Sequence, residues 1–465
     1  MFESKTILIT YSEEFVMLSG DNNPMHTNST LSRRLMFGKP VIHGIFSVLL
    51  LIDAFHKSNN INDRIIYLKV KFLKPIFDND SCQIKFLKSE DGYEITGLVD
   101  LEIKLRIFIK LGKGNKENNF QFRNSCPRLK SPEFINPKTI LGNSFKLDLF
   151  LNKTKFVKLF PNLSNKLNFN LFSVLLASTR AVGVFCPGAN SLYSELLVSE
   201  SNIQVSDFNI NVSKHYKSIN LVKMQFEAIN FTGTINSFFR QSPKKQIEYK
   251  RIKEIVKRED FLKEKVLIIG GSRGLGETAA KILAAFGAQV TITYARGKNE
   301  AQAIVDEILE YSGYCRMMEL DIKKISEINL KQLGVYDSIF YFATPFISSN
   351  NKENFNTDIY QLFNDFYITG FRNIYNIAEA NGVLKIFYPS TTFIEEQPLD
   401  FKEYTLSKFK GELVCKSLNK RPKGPQIFYP RLPKMSTDQT SGIYGDFGSD
   451  AFPVLLKEIN KFYNE

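Results

Sequence analysis

The chain has 465 residues, 43% hydrophobic and 23% charged; this composition excludes a disordered polymer, and the length exceeds one ordinary core, so two to four domains are expected. Five scattered cysteines (Cys82, Cys126, Cys186, Cys315 and Cys415) without a CxxC pair, and only four histidines, argue against a disulfide scaffold and a structural zinc site; no metal is expected. The net charge of +13 leaves open a nucleic-acid binder, a set of solvated lysines, or a partner bearing phosphates or an acidic surface; no helix-turn-helix, zinc-finger or RNA-binding motif supports the first.

In chain order, MFESKTILITY lacks the pattern of a targeting signal. A short strand is followed by the loop SGDNNPMH (Ser19 to His26), then FGKPVIHG and the apolar stretch IFSVLLLIDAF (Ile45 to Phe55). That stretch contains Asp53 and is too short to span a bilayer, so it reads as a buried helix, and a soluble cytoplasmic protein with no membrane partner is expected. Alternating segments follow, RIIYLKVKFLKPIF, SCQIKFLKSE, YEITGLVDLEIK and LRIFIKLG, which read as antiparallel strands. Gly112 to Asn143 is rich in Lys, Asn, Gly and Pro and reads as a joint. The middle third repeats the order: an apolar helical stretch, NLFSVLLASTRAVGVFCPG, then LYSELLVSE, SINLVKMQFEAI and FTGTINSFFR, which suggests a degenerate second copy. The charged stretch from Ser242 to Glu264 reads as a linker with a short exposed helix. The last third alternates strands (KVLIIGG, QVTITYA, SIFYFAT, LKIFYPS) with amphipathic helices, the pattern of a parallel α/β sheet. The expected domains are 1–112, 143–240 and 262–465.

In SGDNNPMH, Asp21 and His26 flank Asn23-Pro24, a turn that can bring both side chains to one point. His43 directly precedes the apolar helix, and Gly44 falls near its N-terminus, where a backbone N–H unpaired within the helix can reach a carbonyl. A base and an acid beside a preorganised donor suit addition or elimination of water next to a thioester. A surface turn and a plain helix-start histidine are the alternatives. FVMLSGDNNPMHTNSTLS with FGKPVIHGIFSVLL after it resembles the MaoC-like, (R)-specific enoyl-CoA hydratase family: Phe15, Leu18, Ser19, Gly20, Asp21, Asn23, Pro24, His26 and Ser32 match, and Met25 replaces the usual aliphatic residue. The resemblance implies a hot-dog fold, Asp21 and His26 as the catalytic pair, and Gly44 in the oxyanion hole. It covers 1–112 well and 143–240 faintly. A second hot dog would complete a thioester tunnel without catalysing, with VFCPGANS (Val184 to Ser191) as part of that tunnel or as a core turn.

IIGGSRGLGE (Ile268 to Glu277) follows a strand and opens a helix, so Gly270, Gly274 and Gly276 permit close approach of a pyrophosphate. The second strand ends TITYARG without an acid, and Arg273 and Arg296 suit the 2′-phosphate of NADP(H); solvated arginines are the alternative. Asp321 is placed at the adenine. Tyr404 and Lys408 share a helix face, where the ammonium is expected to lower the Tyr pKa from about 10, and Ser390 ends a buried strand beforehand. A surface helix pair is the alternative. GGSRGLG, SIFYFAT, FYPS and YTLSK in this order resemble the short-chain dehydrogenase/reductase superfamily. The resemblance implies Ser390, Tyr404 and Lys408 as catalytic residues and Gly270, Ser272, Arg273, Gly274, Leu275, Gly276 and Ala343 at the cofactor. The chain departs at FATP (Phe342 to Pro345), at Tyr367 where an Asn is frequent, in the neighbouring hydroxyls of Thr391 and Thr392, and in a trimmed loop after Thr437. The expected fold is an α+β double hot-dog region followed by an α/β Rossmann-type doubly wound parallel sheet. The expected function is a bifunctional (R)-3-hydroxyacyl-thioester dehydratase/enoyl hydratase and NADPH-dependent 3-oxoacyl-thioester reductase in fatty-acid-like or polyketide-like biosynthesis. Its substrates would be acyl-CoA or acyl carrier protein thioesters; family habit adds assembly of like chains. A non-catalytic acyl-carrier scaffold, a reductase for a sugar or secondary metabolite, and a reductase that has lost activity are the alternatives.

Overall fold

The computed structural model describes residues 3–35, 37–59, 63–112, 122–163, 169–203, 205–240, 242, 244–256, 263–327, 334–347, 354–438, 440 and 448–464. The chain divides into two compact units, the first spanning Met1–Ser242 and the second beginning at Pro243.

The first unit is built on one antiparallel sheet of ten strands. The first five are β1 (Glu3–Ile9), β2 (Arg64–Phe72), β3 (Asp80–Ser89), β4 (Gly92–Val99) and β5 (Glu102–Gly112). The next five are β6 (Ser144–Leu147), β7 (Ser191–Glu200), β8 (Phe208–Tyr216), β9 (Leu221–Ala228) and β10 (Phe231–Phe239). The order is β1-β3-β4-β5-β2-β7-β10-β9-β8-β6. Read from each edge inward, the second half repeats the first. Each half wraps its own apolar helix, Gly44–Asn59 and Phe169–Arg180. The two halves join through β2 and β7, with Leu68 opposite Val198. This is a double hot dog, and the second copy suspected from weak patterning is present as topology.

The helices form because their sequences are almost wholly apolar and are covered on nearly all sides. Ile45, Val48, Leu49, Leu51, Ile52 and Phe55 of the first helix are inaccessible to solvent, and each such burial contributes about 1.5–3 kcal/mol before the entropy of ordering. The turn between β4 and β5 falls at Asp100–Leu101, both with positive φ. It therefore divides YEITGLVDLEIK, which sequence periodicity had left as one strand. The stretch around Gly112–Asn143 is not a free joint where it is described: Arg123 bonds the backbone of Leu149 and Leu151, Glu133 bonds that of Val184 and Ala189, and Ile140 is fully buried. Residues 113–121 of that stretch lie outside the described residues.

In the second unit a parallel sheet takes the order β13-β12-β11-β14-β15-β17. The ranges are β11 (Lys265–Ile269), β12 (Gln289–Tyr294), β13 (Cys315–Glu319), β14 (Ser338–Tyr341), β15 (Lys385–Phe387) and β17 (Gln426–Phe428). A two-stranded parallel extension pairs β16 (Ser390–Thr391) with β18 (Arg431–Leu432). The strand order reverses after β11, as in Rossmann-type sheets, and ligands of such sheets bind at that switch point beyond the carboxyl ends. The helix expected to be an exposed part of a linker is Tyr249–Ile255. Its Tyr249 and Ile252 are fully buried in the second unit's core, and the Tyr249 N–H donates to Glu307 at 2.6 Å. Residues 257–262 lie outside the described residues.

Candidate active sites

The helix Glu13–Ser19 ends at Gly20, with φ 75°. A Cβ there would lie 2.6 Å from Pro127 and 2.9 Å from the Arg180 side chain, so both the left-handed turn and the crowding require glycine. The chain then turns through Asp21. Asn23 caps the short helix Pro24–Thr27, its carboxamide oxygen accepting from the Met25 N–H at 3.0 Å. The other end of the same side chain donates to the carbonyls of Gly183 and Gly188, at 2.9 and 3.1 Å. SGDNNPMH is thus anchored on the second hot dog, and Asp21 and His26 are buried. The surface-turn reading is excluded.

Thr179, at the end of the Phe169–Arg180 helix, donates to Asp21 Oδ2 at 2.6 Å. Gly183 makes room for the carboxylate: a Cβ there would lie 2.1 Å from Asp21 Oδ1. His26 Nδ1 lies 2.7 Å from the Val41 carbonyl, and His43 Nε2 lies 2.8 Å from the Asp21 carbonyl. A carbonyl can only accept, so each of these nitrogens carries the proton and the other ring nitrogen is left as an acceptor. The two imidazoles stack with centroids 3.9 Å apart. Asp21, His26 and His43 each bring one donor atom within 4.8 Å of the others, a spacing that serves proton transfer and would also admit a cation.

Burial raises the Asp21 pKa, opposed by the His26 charge, the Thr179 hydroxyl and the Asn23 N–H. Burial lowers that of His26, opposed by Asp21 and the Val41 carbonyl. The two shifts narrow the gap between carboxyl and imidazolium, so a proton moves between them at smaller cost. Burial and the neighbouring His26 hold His43 well below the ordinary imidazole range, in the neutral form. Gly44 begins the helix beside this cluster. A Cβ on it would lie 2.7 Å from the Phe72 ring, so packing against Phe72 already requires the glycine, where only ligand approach had been expected to.

In the second unit, Gly270 and Gly274 have φ of 82° and 58°. A Cβ on Gly270 would lie 2.8 Å from the Ala343 backbone nitrogen, and one on Gly276 would lie 2.2 Å from the Gly270 carbonyl oxygen. Gly270, Gly276 and Ala343 are therefore packed backbone to backbone, whereas the Cβ position of Gly274 meets nothing closer than Thr437 at 3.8 Å. Ser272 and Leu275 lie in the same loop, half-buried, at the N-terminus of the helix Gly274–Ala285. Arg273 Nη1 pairs with Asp438 at 3.1 Å. Arg296 is exposed after β12, and Asp321, after β13, accepts from the Lys323 N–H at 3.0 Å.

The Tyr–Lys helix is Lys402–Leu418, with Tyr404 and Lys408 both buried. Two expectations are corrected. Ser390 does not face Tyr404: its hydroxyl donates to Glu412 Oε1 at 2.5 Å, and Glu412 is also held by Arg431. The hydroxyl that hydrogen-bonds Tyr404 is that of Thr391. The Tyr404 pKa is not lowered; burial pushes it up to about 12, partly opposed by Thr391. Lys408 Nζ donates to the Pro389 carbonyl at 2.8 Å and sits 3.9 Å from the Tyr367 ring centroid. Burial brings its pKa down to about 7. Tyr367 lies in the π-helical turn Asp365–Gly370, its hydroxyl 2.5 Å from that of Thr344.

Thr179 and Gly183 were missed by sequence reasoning, whereas Thr391 stood beside Ser390 as one of two neighbouring hydroxyls. Both missed residues lie about 160 residues from the carboxylate they serve, and no local spacing signals such a contact.

The profile of the MaoC like domain matches residues 3–101, and that of the short chain dehydrogenase matches residues 264–332. An ipsdienol dehydrogenase of Ips pini is 32% identical over 116 residues, covering 24% of this chain and 44% of that protein. A short-chain dehydrogenase/reductase homolog of Bacillus subtilis, YusS, is 33% identical over 69 residues, covering 15% of this chain and 63% of that one. The chain thus spans less than two thirds of either relative. A solved dehydrogenase/reductase from Sinorhizobium meliloti is 21% identical with a TM-score of 0.36, covering 44% of this chain and 90% of that one. A short-chain dehydrogenase from Sphingobium yanoikuyae, solved with NADPH, is 15% identical with a TM-score of 0.38, covering 43% and 85%.

Proposed function

We propose that this chain, which carries a MaoC-like dehydratase domain at its N-terminus and a short-chain dehydrogenase/reductase domain later, interconverts 2-enoyl and (R)-3-hydroxyacyl thioesters at the first and reduces 3-oxoacyl thioesters at the second. The observation that carries the reading is the buried Asp21–His26 pair beside the start of the Gly44–Asn59 helix. In the hydration direction one member takes a proton from water as its oxygen attacks C3, and the other delivers a proton to C2. The thioester oxygen, which gains negative charge in between, is met by the Gly44 N–H. Dehydration is the reverse. Thr179 and His43 hold Asp21 in place for both directions.

The glycine loop fits a dinucleotide: Gly274 opens the helix Gly274–Ala285 with a φ of 58°, and its Cβ position meets nothing closer than Thr437 at 3.8 Å, which leaves the backbone there open to a pyrophosphate. Gly270, Ser272, Gly274, Leu275, Gly276 and Ala343 would hold it, with Asp321 at the adenine. Arg273 and Arg296 would favour NADP(H), given that Arg273 exchanges Asp438 for the 2′-phosphate. NADP(H) supplies hydride when bound. Tyr404, helped by Thr391, would deliver a proton to the carbonyl oxygen of the substrate, and Lys408 would recharge that proton. The product, a 3-hydroxyacyl thioester, is the substrate of the first site, which is why the two activities make sense on one chain. Coenzyme A and acyl carrier proteins are both anionic and suit the net charge of +13. A soluble, cytoplasmic setting accords with the fact that, among the described residues, no helix is long and apolar enough to cross a membrane.

One observation favours a second reading for the reductase. Burial holds the Tyr404 pKa up at about 12, and among the described residues only the Thr391 hydroxyl opposes it, so this unit could bind the dinucleotide and reduce slowly. The test is consumption of NADPH with 3-oxoacyl pantetheine thioesters of graded length. Oxidation that depends on Tyr404 supports the reductase; binding of NADPH without oxidation at any length supports the second reading.

A further inference from the structure

Arg273 and Asp438 are 165 residues apart in the chain, and Arg273 Nη1 pairs with Asp438 Oδ2 at 3.1 Å. The two partners differ in exposure: the Arg273 side chain is 22% exposed and that of Asp438 only 3%. The carboxylate is thus withdrawn from water, a position that an anion tolerates only when it is paired.

Its place is bounded on another side by the glycine loop. The nearest atoms to the Cβ position of Gly274 are those of Thr437, at 3.8 Å, and then Asp438 Oδ1, at 4.0 Å. Gly274 is the first residue of the helix Gly274–Ala285, and the N–H groups at a helix start, unpaired within the helix, favour an anion. One oxygen of Asp438 therefore stands near that helix start while Arg273 holds the other. A guanidinium and a helix start are also the groups that a dinucleotide would meet here, with its 2′-phosphate and its pyrophosphate.

The carboxylate is carried by a segment that holds its own shape. The Ser436 N–H donates to the Ser449 carbonyl at 2.8 Å, and the Ser449 N–H donates to the Lys434 carbonyl at 2.9 Å. The Thr437 N–H donates to Thr440 Oγ1 at 2.8 Å, and that hydroxyl donates to the Met435 carbonyl at 2.8 Å. Turning the Asp438 side chain to another rotamer breaks none of these bonds.

We propose that Asp438 is a built-in competitor of the dinucleotide: its carboxylate takes up the phosphate-binding groups of the glycine loop, and any dinucleotide must displace it to bind. The consequence differs between cofactors. With NADPH, Arg273 loses Asp438 and gains a phosphate. With NADH, Arg273 loses Asp438 and gains nothing, so occupancy by the dinucleotide without the 2′-phosphate is held low. This inference rests on the reading of the glycine loop as a dinucleotide site.

The test is fluorescence titration of the full chain with NADPH and with NADH, for wild type, Asp438→Asn and Asp438→Glu. Asn keeps the size of the side chain and removes its charge. The Kd of Asp438→Asn is expected to be lower by about fivefold or more for both dinucleotides, whereas Asp438→Glu, which keeps the charge, should bind both as weakly as wild type. An unchanged or higher Kd in Asp438→Asn overturns the proposal. Tighter binding of NADPH alone confines the competition to the 2′-phosphate and overturns the claim that every dinucleotide displaces Asp438. The melting temperature separates competition from a structural role. Asp438→Asn should melt lower than wild type when free, and saturating NADPH should close the gap, because the pair is already broken in the wild-type complex. A gap that persists with NADPH assigns Asp438 to the fold alone. If neither wild type nor Asp438→Asn binds a dinucleotide, the reading of the glycine loop has failed and the proposal with it. Should Asp438→Asn not fold, Asp438→Ser is judged by the same outcomes.

Discussion

Thr179 Oγ1 and Asp21 Oδ2 are 2.6 Å apart, although 158 residues separate them in the chain. The carboxylate comes from the first hot dog, and the hydroxyl that holds it comes from the second. The second copy carries no Asp-x-Asn-Pro-x-His, yet it is part of the site. Replacing Thr179 by Val keeps the shape and removes the donor. Hydrogen bonds to charged groups contribute about 1.5–3 kcal/mol, so hydratase kcat is expected to fall roughly ten- to hundredfold. The lost bond lowers the Asp21 pKa at present, so the acid limb of the kcat/KM profile should move to higher pH. An unchanged limb would show that Thr179 does not act on the carboxylate.

Gly183→Ala is expected to be more damaging. Its Cβ would fall 2.1 Å from Asp21 Oδ1, so either the carboxylate turns or the π-helical turn Ala181–Phe185 shifts. Hydration should drop by about a hundredfold or more, while NADPH binding by the other unit stays at its wild-type affinity. Steady-state kinetics and fluorescence titration read the two effects separately.

The Asp21–His26 pair was legible in the sequence because its signal is local: a turn, its cap and two reactive side chains fall within Ser19–His26. The Rossmann cradle was legible for the same reason. What was not legible depends on pairing across the chain. Periodicity could show that Leu221–Ala228 and Phe231–Phe239 alternate, but not that β7 would lie against β2 and carry Tyr193 to Phe72, with ring centroids 5.0 Å apart. Nor could it tell Ser390 from Thr391. The two adjacent hydroxyls point to opposite faces of a strand, and only the Glu412–Arg431 pair shows which face holds Ser390.

That assignment is testable. Thr391→Val should lower the rate of 3-oxoacyl thioester reduction by tenfold or more, because the hydroxyl that bonds Tyr404 is lost. Ser390→Ala leaves Tyr404 untouched and removes one of the bonds that Glu412 accepts, so it should lower the melting temperature more than the rate. The reverse ranking in rate would restore Ser390 to the catalytic position.

Lys408 gives a prediction in pH. Its pKa is about 7 in the folded chain and about 10.4 unfolded. Between these values the unfolded state binds more protons, so this residue's contribution to stability rises with pH from about 7 to about 10, by at most about 1.4 kcal/mol per pH unit. It is lost as pH falls through that window. Lys408→Met should flatten this part of the stability curve relative to wild type, measured by urea unfolding of the second unit's transition without dinucleotide. Parallel curves for the two proteins would contradict the buried, partly neutral lysine.

The most direct measurement is hydration of 2-enoyl pantetheine thioesters by wild type and Asp21→Asn, with NADPH affinity and the melting temperature followed in the same preparations. Asn keeps the size of the side chain and can still meet Thr179, but it cannot take up a proton. Hydration is expected to fall by at least about a thousandfold, with NADPH affinity unchanged and the chain folded. Hydration that persists in Asp21→Asn at a rate near wild type would contradict the assignment of Asp21 and His26 as the reacting pair.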